Sequence, residues 1–345
     1  MTGIFFFFKI DFRFLAVAAL IAVPASTLAL DPQREDVRSF IDALVAEHDF
    51  DRAWLESALS DGRTQQKIID AMSRPAEKTL AWHEYRRIFL TPKRIEAGLA
   101  FSEEHAERLA RISAATGVPA EVMVAIVGVE TFYGRITGGY RVLDALATLG
   151  FDYPPRAGFF RGELEEFFLL TRDEHLNLTD VMGSYAGAMG PPQFIPSSYR
   201  AYAVDGDGDG RRDLLTNWDD ILASVANYFV RHGWRAGEPV AVPGKVDDPD
   251  RFPVGRNKLK LRDTVGSLIE QGVRFDTDLA ASAPTRLLGF EGEKGNEYWI
   301  GFNNFYVITR YNRSAMYAMA VHQLAAGLAG ASTAGAPPQM TVDSP

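Results

Sequence analysis

The chain contains no cysteine among its 345 residues and only six histidines. The absence of cysteine excludes disulfide bonds, thiolate zinc sites, cysteine nucleophiles and an N-terminal lipid anchor on cysteine. The histidines do not form a metal-binding pattern such as H-E-x-x-H, and G-x-S-x-G and P-loop motifs are also absent. Several large classes of enzymes and metalloproteins are therefore excluded.

Basic residues are fewer than acidic residues. Lys and Arg total 36 against 45 Asp and Glu, which gives a net charge of −9 spread along the chain. Nucleic-acid partners normally require a basic face, and anionic lipid attracts basic segments, so neither partner is expected. The 47% hydrophobic content is enough for a large core and more than one lobe.

The N-terminus lacks an apolar run of the length that a membrane span requires. Lys9 and Arg13 precede ten apolar residues at 14–23, and small residues follow up to Ala29. A span takes about 20 residues, whereas this order of charge, apolar core and small residues is typical of a secretory signal peptide. We predict a signal peptide at 1–29, cleaved after Ala25 or Ala29, and a periplasmic protein without a lipid anchor. An uncleaved membrane anchor is the alternative.

Hydrophobic periodicity predicts an α+β fold that is mainly α-helical. The predicted units are a helical lobe at 30–116, a core at 117–236 and a small β-rich insert at 237–295. A return to the core with a last helix follows at 296–328, and a disordered tail at 329–345. Helices are predicted at 36–48, 52–59, 79–89, 101–115, 117–133, 159–171, 219–232 and 314–328, and an extended segment at 298–310.

Glu130 ends a helix that is apolar nearly all round, from Val122 to Val129. Such a helix is expected to be buried, and burial of a carboxyl group raises its pKa. A carboxylic acid that stays protonated near neutral pH can donate a proton to a glycosidic oxygen. The alternative is a structural Glu in a buried salt bridge, and the residues alone do not decide between the two.

An Asp-rich loop begins at Asp205. Carboxylates at Asp205, Asp207 and Asp209, followed by Gly210, match the opening of an EF-hand calcium loop. The Arg211 carbonyl and Asp213 would supply the next ligands. Position 12 is Thr216 instead of the usual Glu, so either Asp219 or Asp220 closes a longer loop, or the site is weak. The sequence predicts a structural Ca²⁺ or Na⁺ site at 205–220, and no cofactor for catalysis.

Several long motifs resemble the lytic murein transglycosylases of the B type. They are 129–135 (VETFYGR), 141–149 (RVLDALATL), 162–164 (GEL), 183–199 (GSYAGAMGPPQFIPSSY), 224–228 (SVANY) and 304–312 (NFYVITRYN). The motifs follow the family order between residues 34 and 326. The resemblance implies a lysozyme-like core. It also implies cleavage of the β-1,4 bond between N-acetylmuramic acid and N-acetylglucosamine without water, which leaves a 1,6-anhydromuramoyl end.

The resemblance also assigns roles to individual residues. Glu130 matches the single catalytic acid and base of the family, and the Asp-rich loop matches its EF-hand-like metal site. Ser184 and Gln193 match residues of the cleft, where Ser184 would hold the N-acetyl group. The glycan-contacting and carboxylate-contacting candidates are Tyr85, Arg156, Tyr228, Tyr306 and Tyr311. Pro155 replaces a basic residue of some members, which leaves Arg156 alone to meet substrate carboxylates.

Other functions remain open at the level of sequence. A peptidoglycan hydrolase would use a second carboxylate, for which Asp144 and Asp152 are the nearest candidates. A non-catalytic peptidoglycan-binding scaffold for wall enzymes is a further alternative, although Glu130, Ser184 and Gln193 are all present. Calcium sensing is a third alternative, but it is disfavoured because the Asp-rich loop is incomplete and has no second EF-hand to pair with. The predicted partners are peptidoglycan glycan strands and, as a second class, other cell-wall enzymes.

Overall fold

The computed structural model describes residues 27–73, 80–255 and 257–334. A short strand β1 (Thr27–Ala29) pairs antiparallel with β2 (Arg63–Gln65), and six helices form the N-terminal part. They are α1 (Glu35–His48), α2 (Arg52–Asp61), α3 (Gln66–Ser73), α4 (Trp82–Phe89), α5 (Pro92–Glu104) and α6 (Ala106–Thr116). Asp51 and Thr91 cap the N-termini of α2 and α5 through their side chains, which accept hydrogen bonds from backbone amides of the first turn.

The central part of the chain is helical as well, around the buried helix α7 (Ala120–Thr131). Its other helices are α8 (Val142–Phe151), α9 (Ala157–Asp173), α10 (Pro196–Tyr202), α11 (Trp218–Arg231), α13 (Asn303–Tyr311) and α14 (Ala315–Ala334). Two-residue strands β3 (Tyr140–Arg141) and β4 (Met182–Gly183) pair between them. Helices α5, α6, α11 and α14 all contact α7, which explains why every residue from Val122 to Val129 is buried.

A five-stranded antiparallel sheet, in the order β6-β8-β9-β5-β7, forms a small β lobe. Its elements are β5 (Ala241–Val246), β6 (Asp263–Thr264), α12 (Val265–Glu270), β7 (Val273–Arg274), β8 (Pro284–Gly292) and β9 (Gly295–Gly301). The β8–β9 hairpin contacts α4, where the rings of Trp82 and Phe290 lie 5.2 Å apart. The lobe is thereby joined to the helical part.

The predicted boundary of the β insert at residue 295 is wrong, because β9 runs from Gly295 to Gly301 and pairs with both β8 and β5. The predicted extended segment 298–310 is also wrong beyond residue 301, since Asn303–Tyr311 form helix α13. Strand-favouring residues such as Val307 and Ile308 suggested an extended chain, but Asn304, Phe305 and Ile308 lie buried on one helical face.

The predicted disordered tail begins too early. Helix α14 continues to Ala334, because its last turns are rich in alanine, the best helix former. Residues 335–345 lie outside the described residues. The predicted helix 101–115 is interrupted at His105, where α5 ends and α6 begins. The His105 ring packs against Phe101 at 4.3 Å and Trp218 at 5.2 Å, which fixes the bend.

Residues 1–26 lie outside the described residues, and with them most of the predicted signal peptide. Thr27–Ala29 form β1, so only the earlier of the two predicted cleavage positions, after Ala25, would keep this strand. Within the described ranges, no single helix has the length and apolar composition of a membrane span, although α6 and α7, bent by 115°, meet that test together.

Two glycines allow Tyr133 to fold back beneath α7. A Cβ atom on Gly128 would lie 2.7 Å from Tyr133 Cε1, and one on Gly98 of α5 would collide with the Tyr133 hydroxyl. Tyr133 is itself buried, and its Oη donates a hydrogen bond of 2.9 Å to the Arg94 carbonyl. A side chain at either glycine would therefore push the tyrosine out of its place.

We expect Gly128→Ala to lower the free energy of unfolding by about 1–3 kcal/mol, the usual effect of overpacking a core. Gly162→Ala in α9 is the matched control, because its Cβ would have no atom within 4 Å. That substitution should leave the protein unchanged or more stable by about 0.5–1 kcal/mol. Urea unfolding of both variants measures the difference, and equal stabilities would contradict the packing described here.

Candidate active site

A cavity of about 560 Å³ lies between α7, α9, α10, α11 and α13. Its lining includes Glu130, Glu163, Gln193, Tyr228 and Tyr311. Four of the eight predicted catalytic and substrate-binding residues thus meet at one cavity, although they are up to 181 positions apart in the chain. The lining combines ionisable groups with aromatic rings, as expected of a site for a polar ligand with apolar faces.

Glu130 lies half-buried one residue before the end of α7, where the chain turns sharply. Phe132, Tyr133 and Gly134 have φ values of 51°, 60° and 77°, the left-handed region that costs energy for the two aromatic residues. Thr131 fixes the turn, because its Oγ1 donates to the Pro191 carbonyl at 2.9 Å and accepts from Gly134 N at 3.0 Å. Backbone and side chain thus aim Glu130 into the cavity.

Arg94 of α5 stabilises the same turn. Its guanidinium is buried, donates to the Gly128 carbonyl at 2.5 Å and lies 4.9 Å from the centre of the Phe132 ring. Burial lowers the pKa of Arg94 to about 10, so the side chain remains charged at neutral pH. A fixed positive charge near the C-terminal end of α7 stabilises the carbonyl groups there.

Tyr317 of α14 donates a hydrogen bond of 2.5 Å from its hydroxyl to Glu130 Oε1. Burial raises the pKa of Tyr317 well above 10, and the nearby charge of Glu130 raises it further. The pKa of Tyr311 is raised for the same two reasons, and its hydroxyl donates to the Pro192 carbonyl at 2.6 Å. Both phenols therefore remain protonated and act as donors.

Gln193 has a left-handed backbone with φ 51° and a nearly buried side chain. Its Nε2 donates to the carbonyls of Thr137 at 3.0 Å and Gly190 at 2.9 Å, which fixes the orientation of the amide. Among the residues that the structure describes, none hydrogen-bonds to Gln193 Oε1. A buried acceptor without a partner at the cavity wall is suited to an N–H or O–H group of a ligand.

Tyr228 forms one wall of the cavity. Its hydroxyl donates to the Arg310 carbonyl at 2.6 Å, and its ring stacks on His232 with centroids 4.1 Å apart. The rings of Tyr202 and Tyr311 each lie 4.8 Å from that of Tyr228. His232, Tyr202 and Arg310 also line the cavity and were not predicted, because single aromatic or basic residues in a helix give no distinguishing sequence signal.

The remaining substrate-binding candidates do not line the cavity. Tyr85 is completely buried, with its ring 5.2 Å from Phe89, so it has no face open to a sugar. Ser184 is also buried, and its Oγ accepts from Ala188 N at 3.0 Å, which makes it a turn residue in this conformation. Tyr306 lies on α13, whose neighbouring residues Arg310 and Tyr311 reach the cavity.

Arg156 lies beside the cavity and not in its lining. Its guanidinium is 4.5 Å from the centre of the Phe159 ring, and Phe159 lines the cavity. Burial lowers the pKa of Arg156. Burial also raises the pKa of Glu163, and the positive charge of Arg156 offsets only part of that rise. The residue therefore brings positive charge to one end of the site.

Two further carboxylates, those of Glu163 and Glu166, line the cavity. Sequence analysis assigned neither of them a role, although Glu163 lies in the motif at 162–164. Glu163 accepts from Ser197 N at 3.0 Å and Ser197 Oγ at 2.7 Å, and Glu166 pairs with Arg200. The predicted candidates Asp144 and Asp152 lie elsewhere: Asp144 accepts from Arg63 N at 2.9 Å, and Asp152 pairs with Arg34 at 2.8 Å. Neither of these two aspartates belongs to the cavity lining.

The Asp-rich loop brings Asp205, Asp207 and Asp209 together, with one carboxylate oxygen of each within 4.8 Å of the others. Backbone amides of Gly208 and Gly210 donate to Asp205, which folds the loop around this carboxylate and lowers its pKa. Three converging carboxylate oxygens are the donor set that hard cations such as Ca²⁺ prefer. This part of the predicted metal site fits a cation.

Asp213 and Asp220 do not join that cluster within the described residues. Asp220 is fully buried and accepts from Gly206 N at 2.7 Å and Asp213 N at 2.6 Å, so it ties the two ends of the loop together. Asp213 accepts from Leu215 N at 2.8 Å and Thr216 N at 3.0 Å. In this structure both side chains stabilise the loop through backbone amides, and their role as metal ligands stays a prediction. Asp219 pairs with Arg108 at 2.6 Å.

Glu163 gives the site a testable pH dependence. Burial raises its pKa above the usual 4.5, so the folded protein holds a proton that the unfolded chain has already released. The resulting stability is complete below pH 4.5 and is lost as the pH rises through the pKa of the folded state. We expect the unfolding free energy of the wild type to fall relative to that of Glu163→Gln as the pH rises above 4.5.

Urea unfolding across this pH range measures the effect. The exposed Glu103→Gln on α5 is the control, and its curve should run parallel to that of the wild type. Parallel curves for Glu163→Gln as well would contradict the burial of a titrating carboxyl at the cavity wall.

Comparisons with known proteins agree on one family. The chain matches the family model of the transglycosylase SLT domain over residues 32–326. It is 42% identical over 305 residues to the membrane-bound lytic murein transglycosylase B of Escherichia coli (strain K12), covering 85% of this chain and 82% of that protein. The structure resembles the soluble lytic transglycosylase SltB1 from Pseudomonas aeruginosa, with 49% identity, a TM-score of 0.81 and coverage of 86% of this chain and 99% of that one.

It also resembles the Escherichia coli lytic transglycosylase Slt35 in complex with calcium, with 40% identity, a TM-score of 0.80 and coverage of 89% and 97%. These likenesses confirm the predicted fold class, a mainly helical, lysozyme-like core with a small β lobe. The family match covers almost the whole described chain, and the relatives agree with it. The chain belongs to the lytic transglycosylase family.

Proposed function

We propose that this protein cleaves the β-1,4 bond between N-acetylmuramic acid and N-acetylglucosamine in peptidoglycan and leaves 1,6-anhydromuramoyl ends. Glu130 is the only general acid and base in this proposal. The observation that carries it is the position of Glu130 on the cavity wall, while the other two carboxylates of the lining are held by Ser197 and Arg200.

The proposed reaction has two proton transfers. Glu130 first donates its proton to the glycosidic oxygen, and the bond between this oxygen and the anomeric carbon breaks. The 6-hydroxyl of the muramoyl residue then attacks the anomeric carbon and returns its proton to the Glu130 carboxylate. Every proton is accounted for without water, so one carboxyl group is sufficient.

A hydrolase would need a second carboxylate to activate water or to bind the sugar covalently. Three carboxylates belong to the lining that the structure describes. Glu130 and Glu166 are half-buried, whereas Glu163 is buried and both its oxygens accept hydrogen bonds from Ser197. These features favour the transglycosylase over the hydrolase.

Substrate contacts are proposed for the residues that reach the cavity. Gln193 would accept a hydrogen bond from a sugar N–H or O–H group, and the rings of Tyr228 and Tyr311 would support the sugar faces. Arg156 would meet a carboxylate of the glycan or its peptide. Tyr85, Ser184 and Tyr306 remain proposals that would require a change in conformation.

The glycan strand is the proposed partner, and the periplasm is the proposed location. The signal-peptide pattern at 1–29 supports export, and the absence of cysteine in the sequence is against a lipid anchor. Other cell-wall enzymes stay a predicted second class of partner.

A calcium ion is proposed for the carboxylates of Asp205, Asp207 and Asp209, with the Arg211 carbonyl as a further ligand. The convergence of the three oxygens supports it, and so does the calcium complex of Slt35. The ion would hold the loop at the start of α11 and would take no part in the bond cleavage.

Glu130→Gln should lower the rate of glycan cleavage by about 10²–10⁴-fold, because amides cannot transfer the proton. Mass spectrometry of products released from purified sacculi gives the rate and the chemistry together. The wild type should release only anhydromuramoyl ends. Glu163→Gln is the control and should keep the same product, since its carboxyl group is tied to Ser197.

Reducing ends in the wild-type digest would show a hydrolase. Full cleavage by Glu130→Gln would show that another residue is the acid. Either result would overturn the proposed mechanism.

Calcium should raise the melting temperature, since a ligand at 100 times its Kd adds about 2.7 kcal/mol to stability. Asp207→Asn should lose this calcium-dependent increase. Asp213→Asn should melt earlier by the same amount with calcium and with EDTA, because Asp213 stabilises a turn instead of binding the ion. Equal melting curves of the wild type in calcium and EDTA would refute the site.

A further inference from the structure

We infer that Tyr317 is a positioning residue of the acid and base chemistry, because its hydroxyl holds Glu130 Oε1 and thereby leaves the transferable proton on the other carboxyl oxygen. This inference rests on the proposed role of Glu130. It adds a residue of α14 that no sequence motif singled out and that does not line the cavity.

The geometry of the contact carries the inference. The hydroxyl of Tyr317 lies 2.5 Å from Glu130 Oε1, a distance typical of a strong hydrogen bond to a carboxylate. Tyr317 is 1% exposed, and α14 packs along α7, the helix that carries Glu130. The phenol therefore contacts Glu130 from the protein interior, and Tyr317 is not part of the cavity lining.

The phenol remains a donor in both steps of the reaction. Burial holds its pKa well above 10, so it has no tendency to give up its proton to Glu130. When Glu130 is neutral, a donor at Oε1 favours the proton on Oε2. When Glu130 becomes a carboxylate, the same bond becomes charge-assisted and stronger, which stabilises the charge that develops during the first step.

The other titratable groups near Glu130 act differently. The Tyr311 hydroxyl donates to the Pro192 carbonyl, and Tyr85 of α4 lies close enough to Tyr317 to raise the pKa of Tyr317. The charged and titratable residues that share the cavity lining are Tyr202, Glu163, Glu166, Tyr228, His232 and Arg310. Glu163 and Glu166 are tied to Ser197 and Arg200, and they remain in place when Tyr317 is changed.

The test is Tyr317→Phe, which keeps the buried ring and removes the hydroxyl. With a soluble glycan fragment, kcat should fall about 10- to 100-fold, the value of a hydrogen bond to a charged group, while KM changes little. The alkaline limb of the kcat/KM profile should move to higher pH by about one unit, because the Glu130 carboxylate loses a stabilising donor.

Tyr199→Phe is the matched control. Tyr199 is equally buried, and its hydroxyl donates to the Arg212 carbonyl, remote from the cavity lining. This variant should be less stable but should keep the wild-type kcat and pH profile. It therefore separates the loss of a buried hydroxyl from the loss of the contact with Glu130.

Wild-type kcat and an unmoved alkaline limb in folded Tyr317→Phe would overturn the inference, provided that Glu130→Gln is inactive. Equal losses in Tyr317→Phe and Tyr199→Phe without a pH shift would also overturn it, since they would indicate packing alone. Activity in Glu130→Gln would instead refute the proposed function, so the two failures are distinguishable.

Discussion

The site depends on the burial of α7 on all sides. Eight consecutive residues, Val122 to Val129, are removed from water by four surrounding helices, and the helix ends one residue after Glu130. Burying this surface is the main source of stability in such a core. Because α7 cannot rotate or slide without exposing apolar surface, its last carboxylate has one position relative to the neighbouring helices. Packing thus sets the position of Glu130, and polar contacts then adjust it.

The backbone of the turn after Glu130 is strained, and hydrogen bonds from neighbouring side chains offset the strain energy. Phe132 and Tyr133 both adopt a left-handed backbone, which costs roughly 1–3 kcal/mol for each such residue. The Tyr133 hydroxyl, the Thr131 hydroxyl and the Arg94 guanidinium each make a hydrogen bond across the turn. All three bonds end on backbone carbonyls, so they hold the course of the chain without depending on a particular neighbouring side chain. The strained turn directs Glu130, the proposed acid and base, into the cavity.

The sequence predicted most helices and the importance of Glu130, since both are local properties. Apolar spacing reveals a buried helix, and the family motifs turn an undecided Glu into a catalytic candidate. Tyr317 and Glu163 were missed, because their roles depend on contacts made 187 and 34 positions away along the chain. Tyr85 illustrates the opposite case: the family resemblance implied a sugar contact, whereas its ring is completely buried in this structure. Residue type and order do not specify which face of a side chain remains open.

The Asp-rich loop shows the same limit in a different form. Spacing identified Asp205, Asp207 and Asp209, because carboxylates at alternate positions of such a loop can converge on one cation. It could not show that Asp220 would accept amide hydrogens from Gly206 and Asp213. Asp219, next to it, pairs with Arg108 and Arg111 of α6. Since α6 and α11 both pack on α7, these contacts connect the loop to the helix that carries Glu130, so cation binding there would stabilise the catalytic core without a ligand in the cavity.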